Sequence, residues 1–123
     1  MKSLLLVFIG GGFGSSLRYL LTKICNDSES GFPYATLITN VSGSLLIGII
    51  MGLALKNNSI SQNSVLLLAT GFCGGFTTFS TFAYENHLFL KNGDFFSFAL
   101  YTLGSIVLGI SMVFVGIWLA KSF

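Results

Sequence analysis

Four apolar runs dominate the chain, over residues 4–21, 35–55, 65–89 and 96–120, and short polar segments separate them. Each run is about as long as the ~20 residues that an α-helix needs to cross a ~30 Å hydrocarbon layer. The segments "KICNDSESGFP", "KNNSISQNS" and "KNGD" hold most of the Asn, Asp, Ser and Lys. The pattern predicts an all-α membrane protein with four transmembrane helices in one domain, residues 1–123. The first run follows Lys2 as a signal peptide's apolar stretch would. It lacks a small-x-small cleavage site at the right place and carries Arg18 late, so a retained helix is the better reading.

Composition narrows the function. With 53% hydrophobic and 8% charged residues in 123, there is too little charge to cover a soluble domain. A net charge of +2 without a basic cluster gives nucleic acid nothing to bind. Cys25 is expected in a loop and Cys73 deep in the third run, too far apart for a disulfide. One His and no Cys-x-x-Cys pair make no metal-ligating set of side chains. No paired carboxylates, Ser/His/Asp set or nucleotide motif points to an enzyme. Orientation is unmarked as well: Lys2, Lys56 and Lys121 fall on one side of a four-span chain, Arg18, Lys23 and Lys91 on the other. Balanced charges give no preferred orientation, which allows insertion both ways and antiparallel pairs.

Within the spans, the polar residues are few and patterned. In the first, Gly10 and Gly14 are four apart and predict close packing of another backbone. "GGGFG" resembles a phosphate loop, but Ser15 stands where its last glycine belongs and no βαβ pattern follows. Arg18 either snorkels to the interface or faces an aqueous vestibule. In the second span Thr36, Asn40 and Ser44 share one inward face; Asn40 is either interhelical glue or a pore-lining donor. The third span contains "GFCGGFTTFSTFAYE". Gly71, Gly74 and Gly75 are expected to weaken the helix, and Thr77 and Thr78 to compete for its backbone groups. That predicts a helix broken mid-membrane, where freed carbonyls suit a small cation. Beyond the break Phe79 and Phe82 share a face, with Thr77, Ser80, Thr81 and Tyr84 as an adjoining polar stripe. Two rings presented edge-on can hold an anion without offering a full charge. Glu85 and His87 are expected near the interface, Glu85 solvated or paired with Arg or Lys. The fourth span sets Tyr101 and Ser105 one turn apart, Gly104 and Gly109 as packing positions, and Trp118 as an interface anchor.

"TLITNVSGSLLIG" followed by "GFCGGFTTFSTFAYE", in four spans, closely resembles the Fluc (CrcB) family of bacterial fluoride channels over essentially the whole chain. The resemblance implies a dual-topology antiparallel homodimer in the bacterial inner membrane, with two pores built from both subunits. It implies passive fluoride export with exclusion of chloride. Phe79 and Phe82 would then meet fluoride through their ring edges, and Asn40 would be the pore-facing amide. Ser80, Thr81, Tyr101 and Ser105 would supply a polar track. The carbonyls of Gly74 and Thr77, from both subunits, would hold a central structural sodium ion, and Arg18 would lie near the aqueous vestibule. Gly109 departs from members that carry a serine there.

Two other classes compete. A small proton-coupled multidrug exporter needs a membrane-embedded carboxylate, yet spans one, two and four contain no acid. A non-conducting assembly protein would account for the glycines but not for the clustered Asn, hydroxyls and Phe.

Overall fold

The computed structural model describes residues 1–25, 31–56 and 59–122. It contains four helices long and apolar enough to cross a membrane. Helix α1 spans Lys2–Cys25 and α2 Tyr34–Leu55. The third span, Gln62–Lys91, is composite. A single turn, α3 (Gln62–Val65), leads into a π-helical segment (Leu66–Cys73) and a short stretch, α4 (Gly74–Phe76). A non-helical step over 77–79 follows, then α5 (Ser80–Lys91). Helix α6 is Phe95–Ser122. Cys25 is therefore the last residue of α1 rather than a loop residue. Residues 26–30 and 57–58 of the first two predicted connections lie outside the described residues.

Local chemistry explains the ends. The Ser61 side chain accepts the Ser64 N–H at 3.1 Å, capping α3. Gly93, at φ +72°, turns the chain after α5 while the Asp94 and Gly93 N–H groups reach back to the Phe89 and Leu90 carbonyls, a Schellman closure. Asp94 then caps α6, accepting the Ser97 N–H at 3.1 Å. The Ser97 side chain and backbone N–H hold its carboxyl below the usual carboxylate range.

Polarity is distributed in reverse of a water-soluble domain. Phe8, Phe13, Leu103, Val107 and Phe114 face outward, whereas Thr36, Thr39 and Asn86 are buried. Lipid as solvent explains this, because only the interior offers a polar group a partner.

Small residues bring the helices together in two parallel pairs. A Cβ at Gly10 would collide with the Leu67 carbonyl oxygen, and one at Gly14 with that of Phe72. Gly71 and Gly75 answer from the third span, closing on Gly10 and Gly11. On the other side Gly48 meets Gly116, and Gly52 meets Ala120. The Lys56 ammonium reaches the Lys121 carbonyl at 3.4 Å, joining the ends of α2 and α6.

These contacts correct two expectations. The glycines of "GFCGG" do not break the helix: Gly71 and Gly75 are packing positions, and the interruption comes later, at 77–79. Gly10 and Gly14, by contrast, do what their spacing predicts, and the backbone they admit is that of this chain's own third span. In α6 the close-packing glycine is Gly116; Gly104 has nothing within 4 Å, and Gly109 makes only an ordinary contact.

Gly14→Val and Gly116→Val should each destabilise the fold by about 1–3 kcal/mol, because both positions are already filled by facing backbone. Gly12→Ala, with nothing within 4 Å, should be neutral. Thermal unfolding in detergent separates the two classes.

Candidate functional site

The interruption of the third span is held by one side chain. At Thr77 the backbone turns extended (φ −83°, ψ 159°), so Thr78 leaves the helical ladder. Asn40, on α2, takes both of its backbone groups: Nδ2 donates to the Thr78 carbonyl at 3.0 Å, and Oδ1 accepts the Thr78 N–H at 2.8 Å. An amide is the neutral group that can satisfy a donor and an acceptor at once, as an exposed backbone unit away from water requires. Gly43, three residues on, makes room for the Thr77 methyl group, which a Cβ there would strike.

The clasp diverts the next donors. The Gly74 carbonyl loses its i+4 partner, because the Thr78 N–H goes to Asn40. The Thr77 carbonyl loses its own, because the Thr81 N–H goes to the Thr78 hydroxyl at 3.3 Å. By contrast, the Gly75 carbonyl accepts from Arg18 Nε at 3.1 Å and Ser15 Oγ at 3.4 Å. Cys73 takes the Thr77 N–H and hydroxyl. Gly74 and Thr77 thus present the two carbonyls with diverted donors, and hard oxygens of this kind suit a sodium ion.

Two cavities flank this step. The larger, ≈ 500 Å³, lies between α2, the third span and α6. Asn40, Ser44, Thr70, Thr77, Phe79, Phe82 and Ser105 are among its lining residues, and none of the residues lining it is charged. The rings of Phe79 and Phe82 are 6.0 Å apart and tilted by 45°. Ser105 Oγ, in the same wall, is the buried side-chain oxygen left without a partner among the described residues. The second cavity, ≈ 360 Å³, is lined by Arg18 and by hydroxyls that include Thr36, Thr39 and Thr81. Thr78 lines both.

The expected site residues therefore divide. Asn40, Gly74, Thr77, Phe79, Phe82 and Ser105 come together around the larger cavity. Arg18 and Thr81 line the other. Ser80 is exposed and Tyr101 is buried at 1%, and neither lines either cavity. The predicted stripe of Thr77, Ser80, Thr81 and Tyr84 is split by the interruption. Arg18 follows neither sequence reading alone, since it is anchored on Gly75 while lining a polar cavity.

Glu85 departs furthest from expectation. It is half-buried within α5, and hydroxyls occupy both its oxygens: Thr36 at 2.8 Å and Tyr101 at 2.7 Å. This brace ties α2, α5 and α6 together beneath the Phe82 ring, which packs 5.0 Å from Tyr101. The roles of Thr78 and Glu85 escaped the sequence reading. Thr36, one turn before Asn40 on the same face, was the available signal.

Asn40→Ala would strand the Thr78 N–H and carbonyl together. At about 1–3 kcal/mol for each unmet group, the expected loss is roughly 2–6 kcal/mol, checked by thermal unfolding in detergent.

The profile of the family described as "CrcB-like protein, Camphor Resistance (CrcB)" matches residues 5–117. A protein of Phocaeicola vulgatus named "Fluoride-specific ion channel FluC" is 48% identical over 122 residues, 98% of this chain and 100% of its own. Proteins of the same name from Prosthecochloris aestuarii and Chlorobaculum tepidum are 45% and 47% identical over 98% of this chain, covering 94% and 96% of their own. With the profile covering nearly its whole length and relatives of this similarity, the chain belongs to the CrcB-like family.

Proposed function

We propose that this chain is a fluoride-selective ion channel that passively exports fluoride, working as an antiparallel, dual-topology homodimer with two pores in the bacterial inner membrane. The observation that carries the reading is the larger cavity. It is lined by an amide, hydroxyls and two phenyl rings and by no charged side chain, in a chain whose relatives are named fluoride-specific channels. Fluoride is small and tightly hydrated, so a pathway must replace its water with several donors and still release it. Asn40 gives one Nδ2 hydrogen to Thr78 and keeps a second for an ion. Ser105 adds a hydroxyl without a partner among the described residues. Phe79 and Phe82 add positive ring edges. A fixed cation here would hold the ion too tightly; Arg18 belongs instead to the second cavity, where it draws anions towards the step at Thr78. Ser80 and Thr81 extend the polar track from the start of α5, and Tyr101 serves it by supporting the Phe82 ring.

The homodimer reading rests on the balanced cations and on the open side of the cavity, where Phe79 is 78% exposed in a single chain. With Arg18 drawn onto Gly75, the count of Lys and Arg is three against two, still without a strong orientation signal. The interruption lies near the middle of the third span, which supports a break at mid-membrane depth, where Asn40 would supply the partner that depth demands. We further propose that Gly74 and Thr77 carbonyls from two copies hold a structural sodium ion. A proton-coupled exporter fits less well, because Glu85, the one acid inside a span, already braces three helices.

Liposomes containing the purified protein should lose fluoride rapidly and retain chloride, read with ion-selective electrodes. Phe79→Ile and Phe82→Ile should each slow fluoride loss by about tenfold or more, roughly 1.4 kcal/mol or more on the barrier, with assembly intact. Full rates in both variants would rule out the ring edges. Replacing sodium with a large organic cation throughout purification should weaken dimer assembly, seen by cross-linking; an unchanged dimer would rule out the structural ion.

A further inference from the structure

Ser44 has no part in the pathway derived so far, and its surroundings give it one. It lies one turn after Asn40 on α2 and lines the larger cavity with Ser105, Phe79 and Phe82. Its hydroxyl donates to the Asn40 carbonyl at 2.8 Å. That carbonyl is already part of the helical ladder, so the bond is a local back-bond that the O–H can leave by rotating about one torsion. Beside Ser44 in the same lining stands Gly109, one turn after Ser105 on α6. A Cβ at Gly109 would lie 3.5 Å from Ser44 Oγ, an ordinary contact, and anything longer would cover the hydroxyl. The missing side chain at Gly109 therefore keeps Ser44 open to the cavity. Ser105 Oγ, buried and without a partner among the described residues, is a second hydroxyl in this wall free to turn towards an acceptor.

We propose that Ser44 is a further fluoride ligand, and that Ser44 and Ser105 present hydroxyls from facing helices to the same small anion. Gly109 supplies the space between them. The inference rests on the channel reading above and adds a residue to it. Swapping its back-bond for the ion lets Ser44 bind in passing and let go, since the hydroxyl regains a partner when the ion moves on. The helical geometry also makes the hydroxyl transferable: a serine at position 109 would carry an oxygen into the space that Ser44 now addresses.

The test is fluoride efflux from liposomes for the wild type, Ser44→Ala, Ser44→Ala/Gly109→Ser and Ser44→Ala/Gly109→Ala, with thermal unfolding of each. Ser44→Ala should slow fluoride loss by about tenfold, the scale of one lost hydrogen bond to an ion, with its unfolding temperature unchanged. Adding Gly109→Ser should restore most of the rate, and adding Gly109→Ala should not. A Ser44→Ala rate within about twofold of wild type overturns the assignment. So does a slow variant that neither second change rescues, or that both rescue equally, since shape rather than the hydroxyl would then be at stake. A wild type that loses no fluoride overturns the channel reading, and this assignment with it.

Discussion

The bond pair between the Asn40 amide and the backbone of Thr78 is the constraint on which the rest of the site depends. A helix inside a membrane cannot simply stop, because each backbone group it frees lacks water as an alternative partner. Asn40 resolves that by standing in for one peptide unit, donor and acceptor together. Once it does, the chain is free to step sideways at Thr77 and resume at Ser80, and the step aims Phe79 and Phe82 at the same space that the amide faces. It also diverts the donors that would have covered Gly74 and Thr77. Asn40 thus holds the step that places the rings and, with the Thr78 hydroxyl, takes up the donors of two carbonyls. Thr78, at the centre of the clasp, is shared by both cavities.

Keeping such a step in place needs stiff surroundings, and glycine seams provide them. With apolar lipid outside, burial of apolar area gives little drive to pack helices, so close backbone approach and hydrogen bonds must do it. The Gly10, Gly14, Gly71 and Gly75 contacts lock α1 to the first half of the third span. The Gly48–Gly116 and Gly52–Ala120 contacts lock α2 to α6. The larger cavity lies between these two pairs; Asn40, in its wall, joins α2 to the third span, and the Thr36–Glu85–Tyr101 brace ties α2, α5 and α6 together outside it.

Much of this was legible in the sequence, and what was not has a physical reason. Span length and spacing are one-dimensional signals, so the four helices and the shared face of Thr36, Asn40 and Ser44 could be read directly. The glycines were misread because a lone sequence does not distinguish a residue that loosens a helix from one that admits a neighbour. Gly71 and Gly75 turn out to do the second. Gly104 and Gly116 look alike in the sequence, and only the crossing of α2 and α6 separates them. The π-helical segment left no compositional mark. Glu85 was placed at an interface because isolated acids usually stay there. Its two hydroxyl partners lie on α2 and α6, 49 and 16 residues away, beyond the reach of local pattern.

The division of labour between the cavities follows from the cost of charge in a narrow apolar space. In the channel reading proposed above, Arg18 would attract anions at range, whereas a guanidinium at the rings would trap what it attracts. Its Nε is drawn onto the Gly75 carbonyl, which fixes the charge in the ≈ 360 Å³ cavity and keeps it out of the ≈ 500 Å³ one. Beyond Thr78 the lining is neutral; the Asn40 amide and the Ser44 hydroxyl each have an internal partner to fall back on, and Ser105 Oγ has none to give up among the described residues. A site made of such groups can take a hydrated anion's shell apart in small steps and rebuild it on the far side. That is the balance of binding and release that conduction of so strongly hydrated an ion demands.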